Sequence, residues 1–461
     1  MKKIIPIVLS LLVLSGCYLS YTEKENLISS NSISSTKPSE NSSSLSEVSS
    51  KFNTSSKDIS LSIKEEKPVS IEIDTIEASK ATAKYSKDLI FPDISKANAI
   101  TNYCYNTLSS TLKTSYNKLC KAIEEMHEGF IYLGNIDDTE TELVYKAVRA
   151  DHPEYFWVPS YYFISNNSKG SYIAFKYDNG SLKTDYLLTP ENRNIEAKKI
   201  NQVLKEVSAL ISNGLTEYEK ELKIHNYLLK NCTYNNAATK NPDKYHEAYS
   251  ILGPLVKKTA VCEGYARALQ LLLNYNGVKN ILITGKSDNV GHMWNLVNIG
   301  GSWYHLDSTF NDGDDSFISY SNFNLTDNMI KQSHTIDPIY NKELTNSGNY
   351  NILKPLANSI TYNYFNVNET LIYDINDLEK TVFNALQKAL KNNTKEITFG
   401  FAEDVYNNNA ALNKINTPEA IYENAKISKT INKLSLLYFK QIKNVSIATS
   451  NNYNFTFFWE F

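Results

Sequence analysis

Apolar residues recur at helical spacing along Thr259–Asn274 (TAVCEGYARALQLLLN), where Ala266, Leu269, Leu272 and Leu273 form one stripe. Cys262 stands at its head. Beyond the stripe the period shortens. Residues 279–285 (KNILITG), 292–299 (HMWNLVNI) and 302–307 (SWYHLD) read as strands, and Gly300-Gly301 reads as a two-residue hairpin turn. Upstream, Asn194–Asn213 puts Ile200, Val203, Leu204, Val207 and Ile211 on one helix face, with Gly214 as its stop. Thr216–Glu219 is a capping-box pattern that opens a helix over Glu217–Lys230. His225 reads as a helix-face histidine there. Earlier, 97–128 and 140–149 read as helices, and 151–164, 170–180 and 181–188 as strand-like runs, with Phe156 and Trp157 in the core. Past Tyr340, a helix over Asp377–Lys391 with Asn376 and Glu379 as a capping pair precedes strand-like runs at 396–401, 445–449 and 453–459.

This pattern predicts an α+β protein. A catalytic core over 216–335 lies between an N-terminal α+β region (81–215) and a C-terminal α+β accessory region (336–461). A chain of 461 residues is too long for one core, which agrees.

The N-terminus is patterned differently. Lys2 and Lys3 precede a short apolar run, Ile4–Leu14, too short for a stable membrane span. Leu14-Ser15-Gly16-Cys17 resembles the lipobox of bacterial lipoproteins. That resemblance implies removal of a signal peptide (1–16), a lipid on Cys17, and a place on the outer face of a cell membrane. Residues 17–80 then read as a Ser-rich disordered tether, with one strand in 63–80. A net charge of −3 gives no electrostatic case for nucleic acid.

Five cysteines occur without a CxxC spacing, so no structural zinc site is expected. Cys104, Cys120 and Cys232 read as buried small hydrophobes. The acidic run Asn311–Asp315 lacks calcium-loop spacing and reads as a solvated loop. No cofactor is expected.

The chemistry lies in Cys262, His292 and Asp307. A thiol at a helix N-terminus is favoured as thiolate by the helix dipole, and the first-turn N–H groups can face an oxyanion. If Gly300-Gly301 closes the hairpin, Ile299 pairs with Ser302 and Trp294 lies opposite Asp307. His292, Trp294, His305 and Asp307 then share one face, with His292 and Asp307 as diagonal neighbours. A one-residue slip separates them. Two other readings use the same residues: a metal-dependent hydrolase on His292, His305 and Asp307, and a binding or scaffold lipoprotein without catalysis.

Three segments, Val261–Ala266 (VCEGYA), Gly291–Asn295 (GHMWN) and Trp303–Asp307 (WYHLD), resemble in kind and order those of the transglutaminase-like superfamily. The resemblance spans Thr216–Asp312. It implies a papain-like α+β core with Cys262 as nucleophile, His292 as general base and acid, and Asp307 as the orienting group. It leaves open which side chain completes the oxyanion hole. Tyr249 and Trp294 are candidates for that or for substrate contact. The implied activity is acyl transfer from an amide of a protein or cell-wall peptide, to water or to an amine.

Overall fold

The computed structural model describes residues 17–19, 89–92, 102–127, 129–159, 162–178, 181–183, 187–313, 318–337, 354–402, 418–438, 443–449 and 454–460, with isolated positions besides. The expected signal peptide and tether lie outside them. Cys17–Leu19 is the exception, a short strand antiparallel to Lys443–Thr449. The chain divides into two compact units, Ser62–Asn363 and Tyr364–Phe461, the latter together with Met1–Leu61. The expected N-terminal region and catalytic core therefore fall in one unit. So does the segment up to Asn363: the Ala357 carbonyl accepts the Asp327 N–H at 2.7 Å, and the Ala357 N–H donates to Asp327 Oδ2 at 3.1 Å.

The larger unit mixes helices and sheets, as the pattern predicts. Its elements are α1 (Ser110–Glu124), β1 (Ile131–Gly134), α2 (Asp138–Asp151), β2 (Phe163–Asn167), β3 (Gly170–Ala174), α3 (Pro190–Leu210), α4 (Glu217–Asn231), α5 (Cys262–Tyr275), β4 (Asn280–Ser287), β5 (Val290–Ile299), β6 (Ser302–Leu306), β7 (Phe323–Leu325) and β8 (His334–Ile336). The central sheet is antiparallel, in the order β7-β6-β5-β4-β8. Helix α5 is buried along its whole length and packs on β4 and β5.

The hairpin register is the expected one. Ile299 pairs with Ser302 and the ladder runs to Asn295 and Leu306. Gly300 and Gly301 have φ of 58° and 82°, the left-handed pair that a type I′ turn needs. A second tight turn, Asp288-Asn289 with φ of 50° and 63°, joins β4 to β5, so β5 begins two residues before His292. The predicted capping box of α4 is present, with Thr216 and Glu219 bonded reciprocally.

Several expectations change. The expected 97–128 helix is broken where described: Tyr103–Thr107 ends and Ser109 caps α1 by accepting from the Leu112 N–H. Residues 152–159 form turns rather than a strand, since Pro153 and Pro159 cannot donate to a ladder. Phe156 and Trp157 are core nonetheless. In the smaller unit, Asn376 and Glu379 do not cap the helix Leu378–Lys391. Glu379 instead pairs with Lys426 at 2.5 Å and Lys429 at 3.4 Å. That unit also holds two helices the pattern did not flag, Pro418–Asn424 and Ile427–Tyr438.

A buried charge cluster fastens α2 to α5. Glu263 pairs with Arg149 and, at 2.8 Å, with Arg267. All three side chains are nearly inaccessible. Burial works to raise the Glu263 pKa, and the two guanidinium groups overcome it and hold the carboxyl below its usual value. Gln270 adds a bond to the Ala150 carbonyl at 2.8 Å. Removing one member of a buried ion cluster leaves the others undercompensated. Glu263→Leu is therefore expected to cost about 3–5 kcal/mol of unfolding free energy. Denaturant unfolding measures this, and an unchanged midpoint would refute the role given to the cluster.

Candidate active site

Cys262 is the first residue of α5, with extended Val261 as the N-cap. Val261 donates to the Ala248 carbonyl at 3.1 Å, which sets the chain's entry into the helix. Gly264 completes that fit. A Cβ there would stand 2.3 Å from the Ala248 oxygen, so only glycine lets the turn His246–Tyr249 lie against the helix start. The first-turn N–H groups of α5 have no acceptor within the helix.

Asn295 fixes the helix against the sheet. From β5 its Nδ2 donates to the Ala266 carbonyl of α5 at 3.0 Å and to Asn280 Oδ1 on β4 at 3.2 Å. His292, three residues earlier on the same strand and so on its opposite face, lies near enough to Cys262 for the thiol to influence its charge. The other side of the imidazole is taken: Nε2 donates to Asp307 Oδ2 at 2.6 Å. The ring stacks with Trp294 at 5.9 Å and with Phe310 at 4.8 Å between centroids.

Asp307 is 1% exposed and follows the last residue of β6. Its Oδ1 accepts the N–H groups of Thr309 (2.9 Å) and Phe310 (3.2 Å). Its Oδ2 accepts a second imidazole besides His292, that of His334, at 3.0 Å. Burial opposes the carboxylate, but His292, with help from His334, holds its pKa well below the usual range. Burial likewise works against a charged His292, and Asp307 and Cys262 outweigh it and lift the pKa to about 10.

His334 was missed in the sequence, where it lies 42 residues from His292 in a stretch without clear periodicity. The available signal was Gly285, a glycine inside a strand pattern, which marks a close backbone approach. A Cβ at Gly285 would meet the Thr335 oxygen at 2.0 Å and Trp294 Cη2 at 2.8 Å. Glycine there lets β8 lie against β4, with His334 opposite Ser287.

His305 takes a different place from the one the metal reading needs. Its Nδ1 accepts from Trp294 Nε1 at 2.9 Å and its Nε2 donates to Asp327 Oδ1 at 2.8 Å. Burial lowers its pKa to about 4 despite Asp327, so both ring nitrogens serve as neutral partners. Among the described residues, one group of three possible metal ligands occurs in this core, and it is His292, Asp307 and His334 rather than His292, His305 and Asp307. Both histidines aim Nε2 at one carboxylate oxygen, as two N–H donors do. Trp294 is also displaced from its expected part. It is 1% exposed and its N–H is spent on His305, so it supports the imidazole and has no donor left for an oxyanion.

Tyr249 lies near the thiol, and burial together with the Cys262 and Glu263 charges pushes its pKa up to about 12. Its hydroxyl donates to the Ala238 carbonyl at 3.0 Å. The Asn311–Asp315 run is less solvated than expected where described. Asn311 is fully buried and donates to His225 Nε2 at 3.1 Å, and Asp312 accepts from Tyr265. Burial lowers the His225 pKa to about 4. Cys104, Cys120, Cys232 and Cys262 are all unpaired, and burial raises the first three thiols, Cys232 to about 12.

These shifts are directly measurable. The His292 imidazolium is favoured in the folded state, so its contribution to stability is complete below its ordinary value near 6.5 and is lost as pH rises through about 10. In histidine-labelled protein, NMR titration should show the His292 ring charged until pH nears 10, with His305 and His225 neutral down to about pH 4. Asp307→Asn should bring the His292 midpoint down. An unshifted midpoint in that variant would remove Asp307 as its cause.

Comparison with known proteins adds the following. The model of the transglutaminase-like superfamily matches residues 205–308, which include all three residues of the site. No curated protein matches significantly. Among solved structures, a TGase is 17% identical over 38% of this chain and 48% of its own, with a TM-score of 0.24. A provisionally assigned cysteine protease from Cytophaga hutchinsonii is 21% identical over 24% and 37%, at 0.20. A provisionally assigned protease from Parabacteroides distasonis is 11% identical over 32% and 35%, also at 0.20. The chain thus spans half or less of the length of each of these structures. Residues 205–308 constitute a domain of the transglutaminase-like superfamily.

Proposed function

We propose that this chain is a thiol enzyme that cleaves or transfers amide bonds, held outside the cytoplasm by a lipid on Cys17. The observation that carries the reading is the buried imidazole bonded at Nε2 to Asp307, with the Cys262 thiol near enough to influence its charge. In a site without a chemical role, a hydrogen-bonded ion pair buried at a helix start is costly to maintain.

The steps follow from the groups. Cys262 thiolate attacks the amide carbonyl carbon, and the carbonyl oxygen takes up negative charge beside the first-turn N–H groups of α5. Collapse breaks the C–N bond, and the His292 imidazolium gives its proton to the leaving amine. The product is a thioester on Cys262. A water or a second amine then attacks it while His292 takes the attacking group's proton. The thiolate leaves, giving an acid or a new amide. Asp307 keeps the imidazole oriented through both halves.

Water and amine use the same side chains, so the acceptor is decided by access rather than by the three residues. Hydrolysis of a protein or wall peptide is the favoured form of this proposal, with crosslinking as its variant. No described helix is long and apolar enough to cross a membrane, so attachment in this proposal rests on the Cys17 lipid and the tether.

Iodoacetamide labelling, read by peptide mapping, provides the test. Cys262 is expected to react at least about tenfold faster than Cys104, Cys120 or Cys232, because an activated thiolate is the reactive form. His292→Ala should remove most of that advantage. Equal rates among the four thiols would refute the reading, and loss of amide-cleaving activity to chelators rather than to alkylation would favour the metal reading. A labelled amine offered with an activity-based thiol probe separates transfer from hydrolysis.

A further inference from the structure

His334 has no part in the scheme above, yet its geometry is built rather than incidental. Its side chain is fully inaccessible. Nε2 lies 3.0 Å from Asp307 Oδ2, and Nδ1 lies 2.8 Å from Ser333 Oγ. A carboxylate oxygen only accepts, so Nε2 carries a proton. The Ser333 hydroxyl on the other nitrogen fixes that arrangement, as second partners of ring nitrogens do elsewhere. The ring lies 4.9 Å from Trp294, 5.1 Å from Phe310 and 5.3 Å from His292 between centroids. Three backbone features hold it there: the β8–β4 ladder, the Ser287 hydroxyl donating to the Ser333 carbonyl at 2.9 Å, and the absence of a side chain at Gly285.

We infer that His334 is a positioning residue of the Cys262 site, which holds Asp307 Oδ2 where His292 needs it. The inference rests on the proposed thiol chemistry and deepens it. The mechanics come from how Asp307 is bound. Both bonds to Oδ1 come from adjacent backbone N–H groups, those of Thr309 and Phe310. A carboxylate held mainly at one oxygen can pivot about it. His334 fixes the other oxygen from a different element, so the acceptor presented to His292 is pinned by β8 as well as by the Asp307 loop. Because both imidazoles donate to Oδ2, His334 also takes a share of the charge that otherwise falls on His292 alone.

The test uses the full chain and two substitutions at one position. The rate of Cys262 alkylation by iodoacetamide is measured at neutral pH alongside thermal unfolding. His334→Leu keeps bulk and removes the donor, and it should slow Cys262 labelling by about 10- to 100-fold, the range expected when a reacting group is misaligned by a fraction of an ångström to an ångström. His334→Gln carries an N–H at the end of a side chain of similar reach and should restore most of the rate. Labelling in His334→Leu as fast as in wild type would overturn the inference, and so would His334→Gln slowed as far as His334→Leu, which signals packing alone. If the leucine variant does not fold, the ring nitrogens decide in the wild type: NMR should find His334 protonated at Nε2, and a ring protonated only at Nδ1 overturns the inference. Failure of the thiol proposal itself appears earlier and separately, as a wild-type Cys262 no faster than Cys120.

Discussion

A buried carboxylate must be surrounded by donors or it does not stay charged. Asp307 meets that demand with four hydrogen bonds, two from its own loop and two from imidazoles on different strands. Much of the surrounding architecture is what brings those donors in. The β5–β6 hairpin delivers His292, and the β8 strand delivers His334. The loop after Asp307 is held in turn by Asn311, which is buried between His225 of α4 and the Asn322 backbone N–H. The charge is stabilised by elements that span 110 residues of sequence, from His225 to His334, so its protonation would relax constraints on all of them.

The helix that carries the thiol is located by a separate set of contacts. Asn295 ties it to β5 at Ala266, Gly264 admits the Ala248 carbonyl at its start, and Glu263 locks it to α2 through Arg149. Each contact sits within one turn of Cys262 or one helix face from it. The familiar-looking residues around the thiol therefore have mechanical reasons beyond chemistry. Glycine at 264 is dictated by a 2.3 Å clash that any Cβ would suffer, and glutamate at 263 by two buried cations. Trp294 belongs to the same category. Its ring lies beside His292 and its N–H ends on His305, which passes the hydrogen-bond chain to Asp327 and so to Lys354 and Ala357.

Most of the site was legible because it depends on short-range rules. Two glycines dictate a two-residue turn, the turn dictates the register, and the register puts His292 and Asp307 on one face. The helix Glu217–Asn231 was legible from its capping box for the same reason. His334 was not, because β8 is only three residues long and joins the sheet edge after a turn with no periodic pattern. The ligand's part that the metal reading gave His305 failed on an equally local point. Sharing a face says nothing of which neighbour takes a ring nitrogen, and Trp294 and Asp327 took both. The turns over 152–159 read as a strand because aromatic content outweighed two prolines in the pattern.

The arrangement around Asp307 bears on which chemistry such a core supports. A divalent cation bound by His292, Asp307 and His334 would need lone pairs, not protons, on the two Nε2 atoms. At 2.6 and 3.0 Å from one oxygen, both atoms stand where N–H donors stand. Each proton is also favoured from elsewhere: His292 is lifted to a pKa of about 10 in this environment, and Ser333 completes the bonding of the opposite nitrogen of His334. Drawing a cation in would require removing two protons that the carboxylate now binds, and it would take from His292 the partner that orients it toward Cys262. The same three residues thus act as a proton-holding network whose open end is the thiol. In the proposed thiol chemistry, Cys262 is the point at which a reacting group meets this buried charge.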